Sequence, residues 1–166
     1  MVERAYAAQR VWATATQQQV DKVCEAMAQA AFLGSERLGR MAAEETGFGV
    51  PEHKKLKNEF ASRHVWERIK DIKTVGFVRR DEANMIYEIA WPMGVVGALI
   101  PSTNPTSSTI NKILISAKAR DAIVIAPHPS ALNCCQATVK VMADAAVDAG
   151  APPGLINCLT QISLDG

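Results

Sequence analysis

The chain has 166 residues, which is enough for one compact domain with a hydrophobic core but not comfortably for two. Its hydrophobic content of 48% and net charge of +1 exclude a disordered chain and give no attraction to nucleic acid or an anionic membrane. No apolar run reaches membrane-spanning length, and the start lacks the apolar segment of a secretory signal. The four cysteines are spaced neither as a disulfide framework nor as a zinc site. We therefore expect a cytoplasmic protein without a metal and without a nucleic-acid or membrane partner.

Residues 1–72 have the pattern of a helical lead-in. Thr16 followed by Gln19 predicts a capping box, in which each side chain accepts a hydrogen bond from the other residue's backbone N–H. The apolar face of the helix that follows carries Val20, Val23, Cys24, Met27, Ala30 and Ala31. Gly34 interrupts this pattern. Ser35 is expected to cap a second helix, which Gly47 is expected to end.

A third helix is predicted from Pro51, which suits a first helical turn, to Lys70. Because its sequence is polar, we expect it to lie on the surface and to be held by a few apolar anchors. These anchors are Leu56, Phe60, Val65 and Ile69. Beyond this helix, the β-prone runs Thr74–Val78 and Met85–Ala90 predict a hairpin over residues 73–90.

Residues 91–166 have the alternating pattern of a β-α-β-α-β unit. Val95–Ile100 is a continuous apolar run, which predicts a strand buried on both faces, and Ile123–Ile125 and Leu155–Leu159 predict two more strands. Ser130 is expected to cap the second helix of the unit. The apolar stripe of the first helix is Ile110, Ile113, Leu114 and Ala117. Crossovers of this length give parallel strands with right-handed connections.

The sequence therefore predicts an α/β fold, in which N-terminal helices and a β-hairpin precede half of a Rossmann-like, doubly wound parallel sheet. Ligands of such sheets bind beyond the carboxyl ends of the strands, where loops 101–105 and 126–129 are expected. The Gly-x-Gly-x-x-Gly phosphate turn is missing there, and Ser102, Thr103 and Asn104 take its place. From this spacing alone, Asn104 is more often a turn residue than a ligand-binding one.

The stretch from Pro92 to Ser107 resembles the aldehyde dehydrogenase superfamily, in which a strand ends in a Pro-x-Asn or Pro-x-x-Asn turn. Its Thr-Asn-Pro-Thr-Ser run is similar to the CoA-acylating branch, which includes the front module of bifunctional aldehyde-alcohol dehydrogenases. Further motifs agree in order and spacing and extend the resemblance over most of the chain. They are Glu44–Gly47, Lys57-Asn58, Ile115–Ile123, Ala126–Pro129 and Ala149–Pro152.

The resemblance implies a reaction in which a cysteine thiolate attacks a small aldehyde, NAD accepts a hydride, and coenzyme A then removes the acyl group. It assigns to Asn104 the donation of a hydrogen bond to the oxyanion, in place of a simple turn role. The residues that it places against the cofactor are Ile100, Pro101, Ser102, Thr103, Ala126, Pro127 and His128. A homo-oligomer is also expected.

The second loop departs from the non-acylating branch of the superfamily. Ala126 and Pro129 stand where those enzymes place a Lys and a Glu on the adenosine ribose, and the departure agrees with the acylating pattern. Two interpretations of His128 stay open. It either contacts the ribose or phosphate side of the cofactor, or it is a polar turn residue between two prolines.

The resemblance further implies that the nucleophilic cysteine and a Thr-Gly-Gly turn for the pyrophosphate lie beyond residue 166. The chain is therefore expected to be an N-terminal fragment that is inactive by itself. Its own cysteines lie on apolar helix faces or inside a strand without a nearby His, so we expect them to be buried structural residues. They are Cys24, Cys134, Cys135 and Cys158.

Two alternatives to a dehydrogenase fragment remain. The chain is a non-catalytic module that docks on partner subunits, or a plain nucleotide-binding module, which the missing phosphate turn makes weaker. The sequence leaves the aldehyde open among acetaldehyde, propionaldehyde and sulfoacetaldehyde.

Overall fold

The computed structural model describes residues 1–162, so the last four residues of the predicted 91–166 unit lie outside the described part of the chain. The first part is helical and consists of α1 (Val2–Trp12), α2 (Gln17–Leu33), α3 (Ser35–Thr46), α4 (Pro51–Glu59), a π-helical turn (Phe60–His64) and α5 (Val65–Ile69). The rest consists of β1 (Gly76–Asp81), β2 (Ile86–Ala90), β3 (Val95–Ile100), α6 (Pro105–Lys118), β4 (Ala122–Pro127), a 3₁₀ turn (Pro129–Ala131), α7 (Leu132–Asp148) and β5 (Ile156–Cys158). The predicted mixed α/β architecture is confirmed.

The first helices begin and end largely as their sequence predicts. Thr16 and Gln19 form the capping box at the start of α2, and Gly47 ends α3 with a left-handed backbone (φ 70°). The prediction that Ser35 caps α3 is wrong. Gly34 precedes α3 in a helical conformation, and Ser35 is already a buried helical residue, so no extended residue is left whose side chain could fold back as a cap.

The packing of α4 against α3 depends on Gly39. A Cβ atom on Gly39 would lie 2.8 Å from the backbone nitrogen of Lys55, a distance that no real side chain tolerates. The absence of a side chain therefore lets the two helix backbones approach each other closely, and this approach fixes where α4 lies.

The helix lies at the surface as predicted, but the prediction of its four apolar anchors is wrong. Leu56 and Phe60 are exposed, and Val65 and Ile69 are half-buried. The buried residues are instead Lys54, Asn58, Ala61, Ser62 and Trp66. Lys54 and Asn58 are buried because loop 103–106 covers them, and the π-helical turn adds a residue that rotates the face after Phe60.

The predicted hairpin is present, but most of its apolar side chains are exposed. Strands β1 and β2 pair antiparallel from Gly76↔Ala90 to Asp81↔Ile86, with an irregularity between Phe77 and Arg79. The exposed apolar residues of the hairpin are Phe77, Val78, Met85, Ile86, Tyr87 and Ile89.

The last three strands form a parallel sheet, as predicted, and their order in it is β3-β4-β5. Strand β4 is central and almost entirely buried. The prediction that β3 is buried on both faces is wrong for the described residues, because β3 is an edge strand whose Leu99 is 79% exposed. The predicted stripe of α6 is entirely buried, and α6 and α7 pack on the sheet with α2 against them. In residues 1–162, no helix is both long and apolar enough to cross a bilayer.

Candidate functional site

Two loops meet at the carboxyl edge of the parallel sheet. Ile100 and Pro127 are opposite each other in the register of β3 and β4, and the backbone N–H of His128 donates to the carbonyl of Ile100 at 3.1 Å. All seven residues predicted to face the cofactor therefore lie at this edge. Ile100 and Pro127 are buried, whereas Pro101, Thr103 and His128 are exposed. Contact between these residues and a cofactor stays a prediction.

Asn104 ends the first loop and begins α6 without capping it. Its backbone (φ −139°, ψ 57°) is not helical, its half-buried side chain makes no hydrogen bond to the helix, and Pro105 occupies the first helical position. The amide oxygen Oδ1 accepts a hydrogen bond from the Lys57 ammonium at 2.8 Å. Within residues 1–162, the amide nitrogen Nδ2 makes no hydrogen bond. A half-buried donor is thus left for a ligand.

Three polar residues of α4 hold the first loop, and we call Lys54, Lys57 and Asn58 the α4 clamp. The Lys54 ammonium donates to the carbonyl of Thr103 at 2.7 Å. Asn58 is fully buried, where its Oδ1 accepts from the Thr106 hydroxyl at 2.8 Å and its Nδ2 donates to the carbonyl of Ser35 at 3.0 Å. Burial and the charge of Lys57 lower the pKa of Lys54.

The residue pattern did not predict the α4 clamp as part of the site. A run of Lys, Asn and Glu in a helix is typical of a solvated face, and the local sequence does not show that loop 103–106 covers it. The one signal was the Lys57-Asn58 pair, which belongs to the motifs that carry the family resemblance.

Asn104 lies at a groove between α4, the π-helical turn and α6, with a volume of about 510 Å³. Pockets for small molecules usually have volumes of roughly 300–1,000 Å³. Apolar side chains come from α4, the π-helical turn and the start of α5, and polar ones come from α4 and α6. The lining residues include Leu56, Lys57, Phe60, Val65, Asn111 and Lys112. The groove suits a small, mostly apolar molecule that carries one polar acceptor.

In the second loop, the polar groups of His128 and Ser130 form hydrogen bonds with each other. The His128 ring nitrogen Nδ1 accepts from the backbone N–H of Ser130 at 3.2 Å and lies 2.8 Å from the Ser130 hydroxyl. The prediction that Ser130 caps α7 is wrong, because Ser130 lies in the 3₁₀ turn, and α7 begins at Leu132. His128 therefore has a role in the turn.

The N-terminus of α7 is capped by a residue from α3. The Glu45 carboxylate accepts from the backbone N–H of Asn133 at 2.8 Å and of Cys134 at 2.7 Å, and from the Asn133 amide at 3.0 Å. Burial raises the pKa of Glu45, but the hydrogen bonds together lower it by more than burial raises it. The pKa of Glu45 therefore lies below its usual value. The residue pattern did not predict this cap, because Asn133 and Cys134 lie 88 and 89 residues after Glu45 in the sequence.

The N-terminus of α7 has few free N–H groups for a phosphate. A phosphate normally binds to free N–H groups at such a position. At α7 the Glu45 carboxylate already accepts from two of them. This geometry agrees with the missing glycine-rich turn.

The cysteines are poorly placed for nucleophilic attack. Cys24, Cys134 and Cys135 are buried, and Cys158 is half-buried. Burial raises the pKa of both Cys24 and Cys158 to about 12. Hydrogen bonding to Cys135, burial and the Glu45 carboxylate also raise the pKa of Cys134, so these three thiols stay protonated at neutral pH. The hydrogen bond from Cys134 lowers the pKa of Cys135, but this thiol is buried and has no access to a substrate. No cluster of His, Cys, Asp and Glu in the described part of the chain is arranged to hold a metal ion.

Helices and a hairpin that lead into a parallel β-α-β-α-β sheet define an α/β protein with half of a Rossmann-like sheet. The chain belongs to the aldehyde dehydrogenase family, whose sequence profile matches residues 1–163. This match confirms the resemblance carried by the motifs of the sequence.

The similar proteins are aldehyde dehydrogenases, and this chain spans only part of their length. The bifunctional aldehyde-alcohol dehydrogenase of Escherichia coli (strain K12) is 42% identical over 165 residues, which are 99% of this chain and 18% of that protein. An acetylating aldehyde dehydrogenase from Geobacillus thermoglucosidasius superposes with a TM-score of 0.97 at 53% identity, over 98% of this chain and 36% of that one. A Rhodopseudomonas palustris propionaldehyde dehydrogenase with bound propionyl-CoA superposes with a TM-score of 0.85 at 27% identity, over 99% of this chain and 36% of that one.

Proposed function

We propose that this chain is the front part of an NAD-dependent, CoA-acylating aldehyde dehydrogenase that converts a small aldehyde into an acyl-CoA. The acetylating enzyme from Geobacillus and the propionyl-CoA complex from Rhodopseudomonas support the reaction and the use of coenzyme A. When bound, NAD accepts a hydride and coenzyme A accepts the acyl group. A cytoplasmic location is part of the proposal, and the four free cysteines agree with a reducing compartment.

Asn104 carries this proposal, because its Nδ2 is a half-buried donor beside a groove of suitable size. When a thiolate adds to an aldehyde, negative charge develops on the former carbonyl oxygen. A neutral amide that is already oriented stabilises this charge without having to reorganise. The raised pKa values of Cys24, Cys134 and Cys158 support a nucleophile supplied from outside residues 1–162. Cys135, whose pKa is lowered, is buried and so does not reach the groove.

The test is Asn104→Ala in the full-length enzyme, with Asn84→Ala as the matched control because Asn84 lies in the hairpin turn and does not line the groove. Loss of one oxyanion donor is expected to lower kcat by about 10²–10³. Affinity for NAD should stay unchanged, and the control should keep most of its activity. Equal and small effects of both substitutions on kcat would remove Asn104 from the oxyanion role.

We also propose that the enzyme is a homo-oligomer. Support comes from the exposed apolar side chains of the hairpin and from Trp91 and Met93, which are 82% and 87% exposed. Sedimentation velocity of the full-length enzyme should show a species larger than one chain, and Ile89→Lys should shift it towards the monomer. A monomeric wild-type enzyme at micromolar concentration would overturn this proposal.

A further inference from the structure

An asparagine side chain can present either of two ends to a ligand. Its Oδ1 is an acceptor and its Nδ2 is a donor, so the direction of the amide decides whether Asn104 stabilises or repels an oxyanion. Helix α6 does not set this direction, because Asn104 makes no side-chain hydrogen bond to the helix that it begins. Another contact must therefore orient the amide.

Lys57 provides that contact. Its ammonium lies 2.8 Å from Oδ1 of Asn104, and an ammonium group can only donate hydrogen bonds. Reversing the amide would put two donors against each other, so Oδ1 stays on the side of Lys57. Because the two ends of an amide point in different directions, Nδ2 is kept on the other side and remains free to donate.

The surrounding contacts hold the loop around Asn104 in a fixed position against Lys57 on α4. Asn58, the neighbour of Lys57, is fully buried and bonded to Thr106, while Lys54 one turn earlier binds the carbonyl of Thr103. The residue before Asn104 and the second residue after it are therefore tied to the same stretch of α4. Helix α4 is in turn fixed by its close approach to Gly39.

We infer that Lys57 is a positioning residue, which orients the Asn104 amide so that its N–H donor is available to the oxyanion in the groove. This inference rests on the proposed function. The positive charge beside Oδ1 also polarises the amide and strengthens Nδ2–H as a donor. Lys57 is exposed, in contrast to Lys54 and Asn58. Its side chain therefore contributes little to the packing of the core, and its main contact is the one with Asn104.

The test compares Lys57→Met with Lys55→Met in the full-length enzyme. Lys55 lies on the same helix, and its ammonium pairs with Glu36 instead of with the loop. We expect Lys57→Met to lower kcat about tenfold, which corresponds to about 1.4 kcal/mol, with unchanged KM for NAD. Lys57→Arg keeps a cationic donor and should recover most of the loss, while Lys55→Met should behave like the wild type.

A double substitution separates positioning from general stability. If Lys57 acts through Asn104, Lys57→Met should cause no further loss of kcat in the Asn104→Ala background. Additive losses, or a wild-type kcat for Lys57→Met while Asn104→Ala is impaired, would overturn this inference and leave the proposed function intact. A wild-type kcat for Asn104→Ala would overturn both.

Discussion

The loops after β3 and β4 lie side by side at the same edge of the sheet, but their polar groups have different partners. In the first loop, Lys57 binds only one end of the Asn104 amide, and the donor end is left free. In the second loop, His128 and Ser130 bond to each other, and Glu45 accepts from the first N–H groups of α7.

This difference shows that position at the carboxyl edge of a parallel sheet does not by itself make a loop a ligand-binding loop. In both loops, residues from the lead-in helices decide which groups remain free. The α4 clamp fixes the first loop but leaves one donor, whereas Glu45 on α3 removes the anion-binding capacity of α7. The lead-in helices therefore determine the chemistry of the edge.

The largest expected effect comes from removing the buried side chain that holds the first loop. Asn58→Ala should lower the free energy of unfolding by about 2–4 kcal/mol, because the buried partners in Ser35 and Thr106 lose their hydrogen bonds. Asn133→Ala, in the first turn of α7 after the second loop, is the matched control. The hydrogen bond that its side-chain amide donates to Glu45 is exposed. Its effect should be much smaller in the same denaturant titration. Similar losses for both would show that the two loops are held equally strongly.

The close approach of α3 and α4 gives the next effect. In Gly39→Ala, the new methyl group would meet the backbone of Lys55, which should cost about 1–3 kcal/mol of stability and displace the α4 clamp. Gly34→Ala is the control, since its Cβ would have no contact closer than 3.4 Å. The unfolding temperature and kcat should both decrease for Gly39→Ala and stay unchanged for Gly34→Ala. An unchanged kcat for Gly39→Ala would mean that the α4 clamp tolerates a shift of α4.

A pH-dependent effect is expected in the second loop. The pKa of Glu45 is lowered in the folded chain, so the stability that its carboxylate contributes is complete above the ordinary value of 4.5. It is lost as the pH falls below 4.5 through the lowered folded-state pKa. Glu45→Gln should therefore cost about 1 kcal/mol at neutral pH and progressively less in acid. Glu44→Gln, at an exposed neighbour, should show no such pH dependence, and a pH-independent cost for Glu45→Gln would contradict the capping role.

His128→Ala is expected to have the smallest effect. It removes the exposed bond between His128 and Ser130, which should cost about 0.5 kcal/mol in a thermal melt. The KM for NAD measured on the same variant decides between the two interpretations of His128. An unchanged KM leaves it a turn residue, whereas a raised KM assigns it to the cofactor.

Features that depend on local pattern were predictable from the sequence. The stripe from Ile110 to Ala117 and the capping box of Thr16 and Gln19 follow from spacing alone, since neighbours along one helix determine them. The parallel orientation of the three strands follows from crossover length. The resemblance singled out Asn104, which spacing alone would have left as a turn residue.

Features that depend on distant partners were missed. The expected serine caps at Ser35 and Ser130 failed because Gly34 adopts a helical conformation and because Glu45 on α3 caps α7 instead. The polarity of α4 indicated a solvent-facing helix, although Lys54 and Asn58 are buried under the first loop. Residue composition does not contain this information, because the covering segment lies about 50 residues further along the chain.

The π-helical turn at Phe60–His64 joins α4 and α5 into one continuous helix and rotates the side-chain positions of α5 relative to those of α4. Asn58 faces the first loop, and Trp66, eight residues later, faces the ammonium of Lys118 at 5.5 Å. In an uninterrupted α-helix these two positions would differ by about 80° around the axis. The extra residue brings both onto the buried side, so α4 and α5 can each be matched to their own partner. Deletion of one residue within 60–64 would force the continuous helix to keep one of these partners and lose the other.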